Sequence, residues 1–137
     1  MNQGLKANIS GNNLEERIAS MLSSKNIEFI KQHKFTSIYG TNAKMDFYIT
    51  SLDLAIEAKN QEVSGSVAEK LPYVLLNLAQ HPASNGLLVL GGNYWKNKIG
   101  IHKFLVNFSN VLTNTKISFI FEEELERYLI EQTNSRS

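Results

Sequence analysis

The fold is decided by a stretch at residues 45–59, which reads MDFYITSLDLAIEAK. Apolar and polar residues alternate in two short runs with a polar turn between them, which predicts two strands of a β-hairpin, Met45 to Thr50 and Leu54 to Lys59. Successive side chains of a strand point to opposite faces, so Glu57 and Lys59 would share one face. Because charges on a mostly apolar strand are costly unless something uses them, the stretch predicts both a sheet and a charged site on it.

Hydrophobic periodicity predicts further elements on both sides of this hairpin. They are a helix from about Asn13 to Ser24, a strand from Phe29 to Phe35, a helix from Ser66 to about Gln80, a buried strand from Leu87 to Leu90, a helix from Ile101 to Leu112, a strand from Ile117 to Phe121 and a helix from Glu122 to Glu131. This order predicts an α/β fold with a mixed central sheet flanked by helices. We expect residues 1–10 to form a flexible arm, residues 11–132 a single domain and residues 133–137 a frayed tail.

Bulk composition restricts the class of protein. The chain has 137 residues, of which 42% are hydrophobic and 20% charged, as in a single globular domain. No apolar run is long enough to cross a bilayer and no secretory leader is visible, so we expect a cytoplasmic protein. Cysteine is absent, so a bound metal would need oxygen or imidazole ligands. The net charge of +1 is too small to predict a polyanionic partner by itself.

The strongest candidate site lies across the two strands of the hairpin. Asp46 on the first strand would face Glu57 and Lys59 on the second. Mg²⁺ prefers hard oxygen ligands and keeps several waters, so two carboxylates and the Ala58 backbone carbonyl would form a partial shell, with Mn²⁺ as a substitute ion. Lys59 would steady the attacking water or the charge that grows on a phosphate. The alternatives are a solvated Asp46 on an edge strand and a Lys59 that only completes a structural ion pair.

Four further residues are candidates at the margins of this site. Glu15 borders the apolar stripe of the first helix and is either a flanking residue or a third acid of the cluster. Gln61 continues the strand and is either solvated or orients water or phosphate. Ser66 and Lys70 begin the second helix, where Ser66 with Glu69 fits a capping box and where a helix amino terminus also attracts phosphate. We therefore include Ser66 and Lys70 as DNA-binding candidates.

Other chemistry-bearing residues form no clear pattern. His33, His81 and His102 are dispersed along the chain, so they predict neither a metal site nor a nucleophile–base pair. Trp95 follows a glycine-rich turn and is expected to fold onto the core rather than stack on a base.

These residues, in this order, resemble the PD-(D/E)XK nuclease superfamily, whose restriction-endonuclease-like core is commonly αβββαβ. Glu15 matches the acid of the family's first helix, and Asp46 matches its metal-binding aspartate. The segment 57–59 matches the (D/E)-x-K element, and Gln61 matches the glutamine that often follows it. Met45 stands where the family often has proline. The segment 61–72 looks like that of small restriction-type, phage or mobile-element nucleases, and the final helix, strand and helix are additional to the core.

The resemblance implies a Mg²⁺-dependent endodeoxyribonuclease that hydrolyses DNA with a metal-activated water, leaving a 5′-phosphate and a 3′-hydroxyl. It also implies an intracellular protein of bacterial or phage type. Cleavage of both strands needs two active sites, so a symmetric homodimer is expected. Two alternatives stay open: a catalytically silent DNA-binding or assembly protein on the same fold, and an unrelated metal-dependent hydrolase of nucleotides.

Overall fold

The computed structural model describes residues 3–61, 67–111 and 116–135. Helices and strands follow one another in the predicted order, which confirms the α/β class and the αβββαβ core with an additional helix, strand and helix. The elements are α1 (Gln3–Ser24), β1 (Ile30–Thr36), β2 (Asn42–Ile49), β3 (Leu54–Asn60), α2 (Leu71–Gln80), β4 (Asn85–Gly91), α3 (Ile99–Val111), β5 (Lys116–Phe121) and α4 (Leu125–Asn134).

The five strands form one mixed sheet in the order β1-β2-β3-β4-β5. The first three strands are antiparallel neighbours, as the predicted hairpin requires. Strands β3, β4 and β5 are parallel, and α2 and α3 make the crossovers between them. Strand β4 is buried along nearly its whole length, as expected for a parallel strand covered on both faces.

Helices cover both faces of the sheet and divide the core into two layers. On one face, α1 and α4 pack against strand residues that include Phe47, Leu54 and Ile56. On the other face, α2 and α3 pack against a set that includes Ala55 and Leu88. The alternation of Leu54, Ala55 and Ile56 between the two layers confirms the side-chain period predicted for β3.

Helix α1 begins at Gln3 instead of near Asn13, so the predicted start was wrong and residues 3–10 are helical. The cap-type residues Asn12 and Asn13 lie inside the helix, because a single interior glycine such as Gly11 costs only about 1 kcal/mol and does not end a helix. Helix α4 likewise extends to Asn134, beyond the predicted end at Glu131.

Part of the prediction for the second helix, from Ser66 to about Gln80, is confirmed. A 3₁₀ turn, Ala68–Lys70, precedes α2, and Pro72 stands in the first turn, where a missing amide costs little. The predicted buried stripe is present. It consists of Leu71, Val74, Leu75 and Leu78. Ser66, and with it the predicted capping box, lies outside the described residues.

Trp95 is fully buried, and its indole N–H donates to the Gly91 carbonyl at 2.9 Å, so this aromatic side chain packs in the core as expected. Among the helices that the structure describes, none is both long and apolar enough to cross a bilayer.

Candidate active site

The site begins where β2 and β3 separate. Their backbone ladder pairs Phe47 with Ile56 and continues toward the turn, and the next positions, Asp46 and Glu57, lie just beyond it. Side chains replace the ladder there: the Ala58 N–H donates to Asp46 Oδ2 at 2.8 Å, and the Asp46 N–H donates to Glu57 Oε1 at 3.3 Å. We call this point of separation, with Asp46 on β2 and Glu57 and Ala58 on β3, the acidic fork. It holds the two acids opposite each other and uses backbone amides that would otherwise lack partners.

The same hydrogen bond orients the Ala58 carbonyl. The N–H and C=O of one residue in a strand point toward the same neighbour. Because the Ala58 N–H points to Asp46, its carbonyl also faces the opening of the fork and not β4. One backbone oxygen therefore lies on the side of the two carboxylates.

Glu15 approaches the fork from α1. The preceding residue, Leu14, belongs to the buried stripe of that helix, so its packing fixes the position of Glu15 beside the sheet. Glu15 Oε1 accepts a hydrogen bond from Gln32 Nε2 at 3.3 Å, and its carboxyl also hydrogen-bonds to Asp46. Gln32 has a left-handed backbone with φ of 52° in the middle of β1. No pattern in the sequence pointed to Gln32 as a residue of the site.

The acids perturb one another strongly. Burial, a hydrogen bond with Glu57 and the Glu57 charge raise the pKa of Asp46 to about 7, although the Ala58 amide and the hydrogen bond with Glu15 act in the opposite direction. Burial, a hydrogen bond with Asp46 and the Asp46 charge raise the pKa of Glu15 to about 7. Near neutral pH the cluster therefore retains protons, because full ionisation would place like charges side by side in a partly buried site.

Two lysines supply positive charge to the same cluster. Lys59, near the end of β3, and Lys31, on β1, both act on Glu15 and lower the pKa of its carboxyl against the larger raising effects. The ammonium of Lys59 is thus close enough to Glu15 to interact with its carboxyl electrostatically.

Gln61 is 6% exposed and directly follows β3. Its backbone N–H donates to the Gly91 carbonyl at 3.0 Å, and its carbonyl accepts from the Tyr94 N–H at 3.1 Å. Neither the amide oxygen nor the amide nitrogen of its side chain has a hydrogen-bond partner among the described residues. An unpaired buried amide costs about 1–3 kcal/mol, and the described residues do not offset this cost for Gln61.

The structure thus brings together Glu15, Asp46, Glu57 and Lys59, with Gln61 buried just beyond β3. Lys70 lies exposed at the end of the 3₁₀ turn before α2. Asp46 is the acid that interacts with both Glu15 and Glu57, so the carboxyls form a chain. Within the described ranges no three or more histidine, aspartate and glutamate side chains form a ready-made metal cage.

A second polar cluster lies outside this site. His33 Nδ1 is 2.9 Å from His81 Nε2, and the Ala83 N–H donates to His81 Nδ1 at 3.0 Å. His81 therefore carries its proton on Nε2 and donates it to His33. Burial, and then the nearby His33, lower the pKa of His81 to about 4, so this ring is neutral. No sequence pattern reveals this pair, because residues 48 positions apart meet only through the fold.

Comparison with known proteins identifies the family of the chain. A family model described as a PD-(D/E)XK nuclease superfamily domain matches residues 6–126 of the 137-residue chain. Comparison with curated proteins and with solved structures gave no match. The matched region spans α1 to the start of α4 and includes every residue of the acidic fork. By its sequence match, its mixed sheet and the acids and lysine at its strand fork, the chain belongs to the PD-(D/E)XK nuclease superfamily.

Proposed function

We propose that the protein is a Mg²⁺-dependent endodeoxyribonuclease. The observation that carries this proposal is the chain of three carboxyls at the fork of β2 and β3, two of them with a pKa raised to about 7. An acidic group that retains protons near neutrality is one in which a divalent cation can replace those protons. Family membership supports nuclease chemistry in general. The proposal adds the identity of the ion, Mg²⁺, and of the substrate, DNA.

Asp46 and Glu57 would hold the ion, with the Ala58 carbonyl as a third oxygen and Glu15 as a direct or water-mediated ligand. These residues fit Mg²⁺ because their carboxylate and carbonyl groups are the hard oxygen ligands that this ion prefers, and because the neighbouring carboxylates supply negative charge. When bound, the ion would lower the pKa of a water and polarise a phosphoryl oxygen. The backbone amides of Asp46 and Ala58 keep the two ligand side chains in place.

Lys59 would place its ammonium against the charge that develops on the phosphate. Gln61 would use its unpaired amide to orient water or a phosphate oxygen, which also removes the cost of its burial. Glu15, with its raised pKa, would hold and exchange a proton at the edge of the cluster. Lys70, and Ser66 outside the described residues, would contact the DNA backbone. A homodimer would supply the second active site that duplex cleavage needs.

The direct test is cleavage of supercoiled plasmid with and without Mg²⁺. We expect nicked or linear product that disappears with a chelator, and a rate at least roughly 100-fold lower in Asp46→Asn and in Lys59→Ala. Lys103→Ala and Glu131→Gln, which change exposed residues of α3 and α4, are matched controls and should retain activity.

Each alternative has its own signature in this assay. DNA retardation without cleavage would identify the catalytically silent binding protein. Hydrolysis of a small phosphodiester without plasmid cleavage would identify the nucleotide hydrolase. Full activity of Asp46→Asn or Lys59→Ala would defeat the assignment.

A further inference from the structure

Two lysines lie directly opposite each other in the hairpin of β1 and β2. Lys34 pairs with Lys44 in the antiparallel register, and both side chains are exposed. Like charges at directly opposite positions destabilise a strand pair. Among the described residues, neither ammonium has a carboxylate within ion-pair distance. The described part of the fold therefore leaves this doubled positive charge without a carboxylate partner.

The pair lies on the face of the hairpin toward α1, the helix that carries Glu15. Phe35 and Met45, which follow the two lysines, pack in the core layer beneath α2 and α3. The lysines therefore project from the opposite face. On that face Gln32 and Asp46, two residues further along each strand, interact with Glu15 of α1. Two residues of extended strand in β2 correspond to about 7 Å, so Lys44 is adjacent to Asp46 of the candidate cleavage site.

The shape of the surface fits a phosphate group. Lys34 and Lys44, with Asn42 and Ala43, line a cavity of about 360 Å³. Two ammonium groups and an amide are donors for anionic oxygens, and no acid is among these lining residues. Lys31, which pairs with Phe47 beyond Asp46, and Lys59 add positive charge beside Glu15. Positive charges thus lie on both sides of the acids, as an extended strand of nucleic acid would require.

We propose that Lys34 and Lys44 form a phosphate clamp that holds the DNA strand next to the scissile phosphate. This inference rests on the proposed function and adds to it a positioning element on the β1–β2 hairpin. The clamp touches the backbone and not the bases, so it contributes affinity without sequence preference. The bound phosphate removes the repulsion between the two ammonium groups, which explains why the fold carries them opposite each other.

The experiment measures binding of a fluorescent DNA duplex by anisotropy, with Ca²⁺ in place of Mg²⁺ to prevent cleavage, over a range of salt concentrations. We expect Lys34→Gln and Lys44→Gln each to weaken binding about 10-fold and to reduce the slope of log K against log salt by about 1. Lys103→Gln is the matched control and should leave affinity and slope unchanged.

A kinetic and a stability readout separate positioning from a structural role. In plasmid cleavage the two variants should raise KM and leave kcat within about twofold, since uniform substrate binding is lost. Their melting temperatures should equal or exceed that of the wild type, because the repulsion has been relieved. Unchanged affinity and salt slope, or lower affinity explained by lower stability, would overturn the clamp. A wild type that binds DNA through this pair without cutting it would reject the proposed function and leave the clamp standing.

Discussion

Replacing Asp46 with asparagine should stabilise the metal-free protein above neutral pH. Asparagine keeps the size of the side chain and an oxygen for the Ala58 amide but removes the charge. The pKa of Asp46 is about 7 in the fold against a reference of 3.8, a difference worth about 4 kcal/mol at high pH. Solvent screening and exchange of the proton with Glu15 reduce this, so we expect a gain of about 2 kcal/mol in unfolding free energy.

The pH dependence of this gain has a definite sign. A carboxyl with a raised pKa binds more protons in the folded state than in the unfolded state between about pH 4 and pH 7. Its contribution to stability therefore falls as pH rises through this window and stays low above it. The difference between Asp46→Asn and the wild type should be about 2 kcal/mol at pH 8.5 and below about 1 kcal/mol at pH 5.

Urea unfolding in the presence of a chelator measures the unfolding free energy at pH 8.5 and at pH 5. It is followed by the fluorescence of Trp95, the single and fully buried tryptophan. Glu131→Gln on α4 is the matched control and should show no such pH-dependent gain. Adding Mg²⁺ at pH 8.5 should stabilise the wild type and leave Asp46→Asn nearly unchanged, since a ligand stabilises only the state that binds it. If Asp46→Asn were less stable than the wild type at pH 8.5, or if the difference in unfolding free energy were equal at both pH values, the raised pKa of Asp46 would be refuted.

Three further predictions concern residues around the site and the second core layer. Gly91→Ala would place a Cβ 2.7 Å from Asn60 Oδ1 and 3.0 Å from a Leu14 methyl, so it should cost about 1–3 kcal/mol in urea unfolding; no loss would contradict this packing. Gln61→Leu should raise the unfolding free energy by about 1 kcal/mol and lower plasmid cleavage, whereas a less stable variant would mean that the amide is already paired. His81 has a pKa of about 4 in the fold, below its reference of 6.5, so the unfolding free energy of the wild type should fall by about 2 kcal/mol as pH decreases from 6.5 to about 4. The variant His81→Gln should lack this loss. If the unfolding free energies of the wild type and His81→Gln changed in parallel with pH, the ring would not be buried and neutral.

The sequence predicted the parts of the fold that follow from local periodicity. The alternation in β3, the buried run of β4 and the apolar stripe of α2 each depend on spacing within one segment, and all three are confirmed. Element ends were less predictable: α1 begins at Gln3 because helix formation depends on the summed propensity of the segment and not on one glycine and two asparagines.

Within the predicted site, strand register decides which residues come together. Glu57 and Lys59 lie on one strand, and Asp46 lies on its antiparallel neighbour, so register alone brings them together. Gln32, the His33–His81 pair and the cross-strand Lys34 could not be predicted in the same way. Their partners lie on other elements, and contact depends on the exact strand register and on the left-handed backbone of Gln32.

The most direct test of the proposed metal centre is calorimetric titration of Mn²⁺ into the metal-free protein at pH 7 in two buffers of different ionisation enthalpy. We expect at least one bound ion per chain and release of about one proton per ion, because the ion displaces protons held by Glu15 and Asp46. Asp46→Asn should lose this binding, and Glu131→Gln should retain it. Absence of binding to the wild type, or binding to Asp46→Asn with unchanged affinity and proton release, would contradict a metal centre at Asp46.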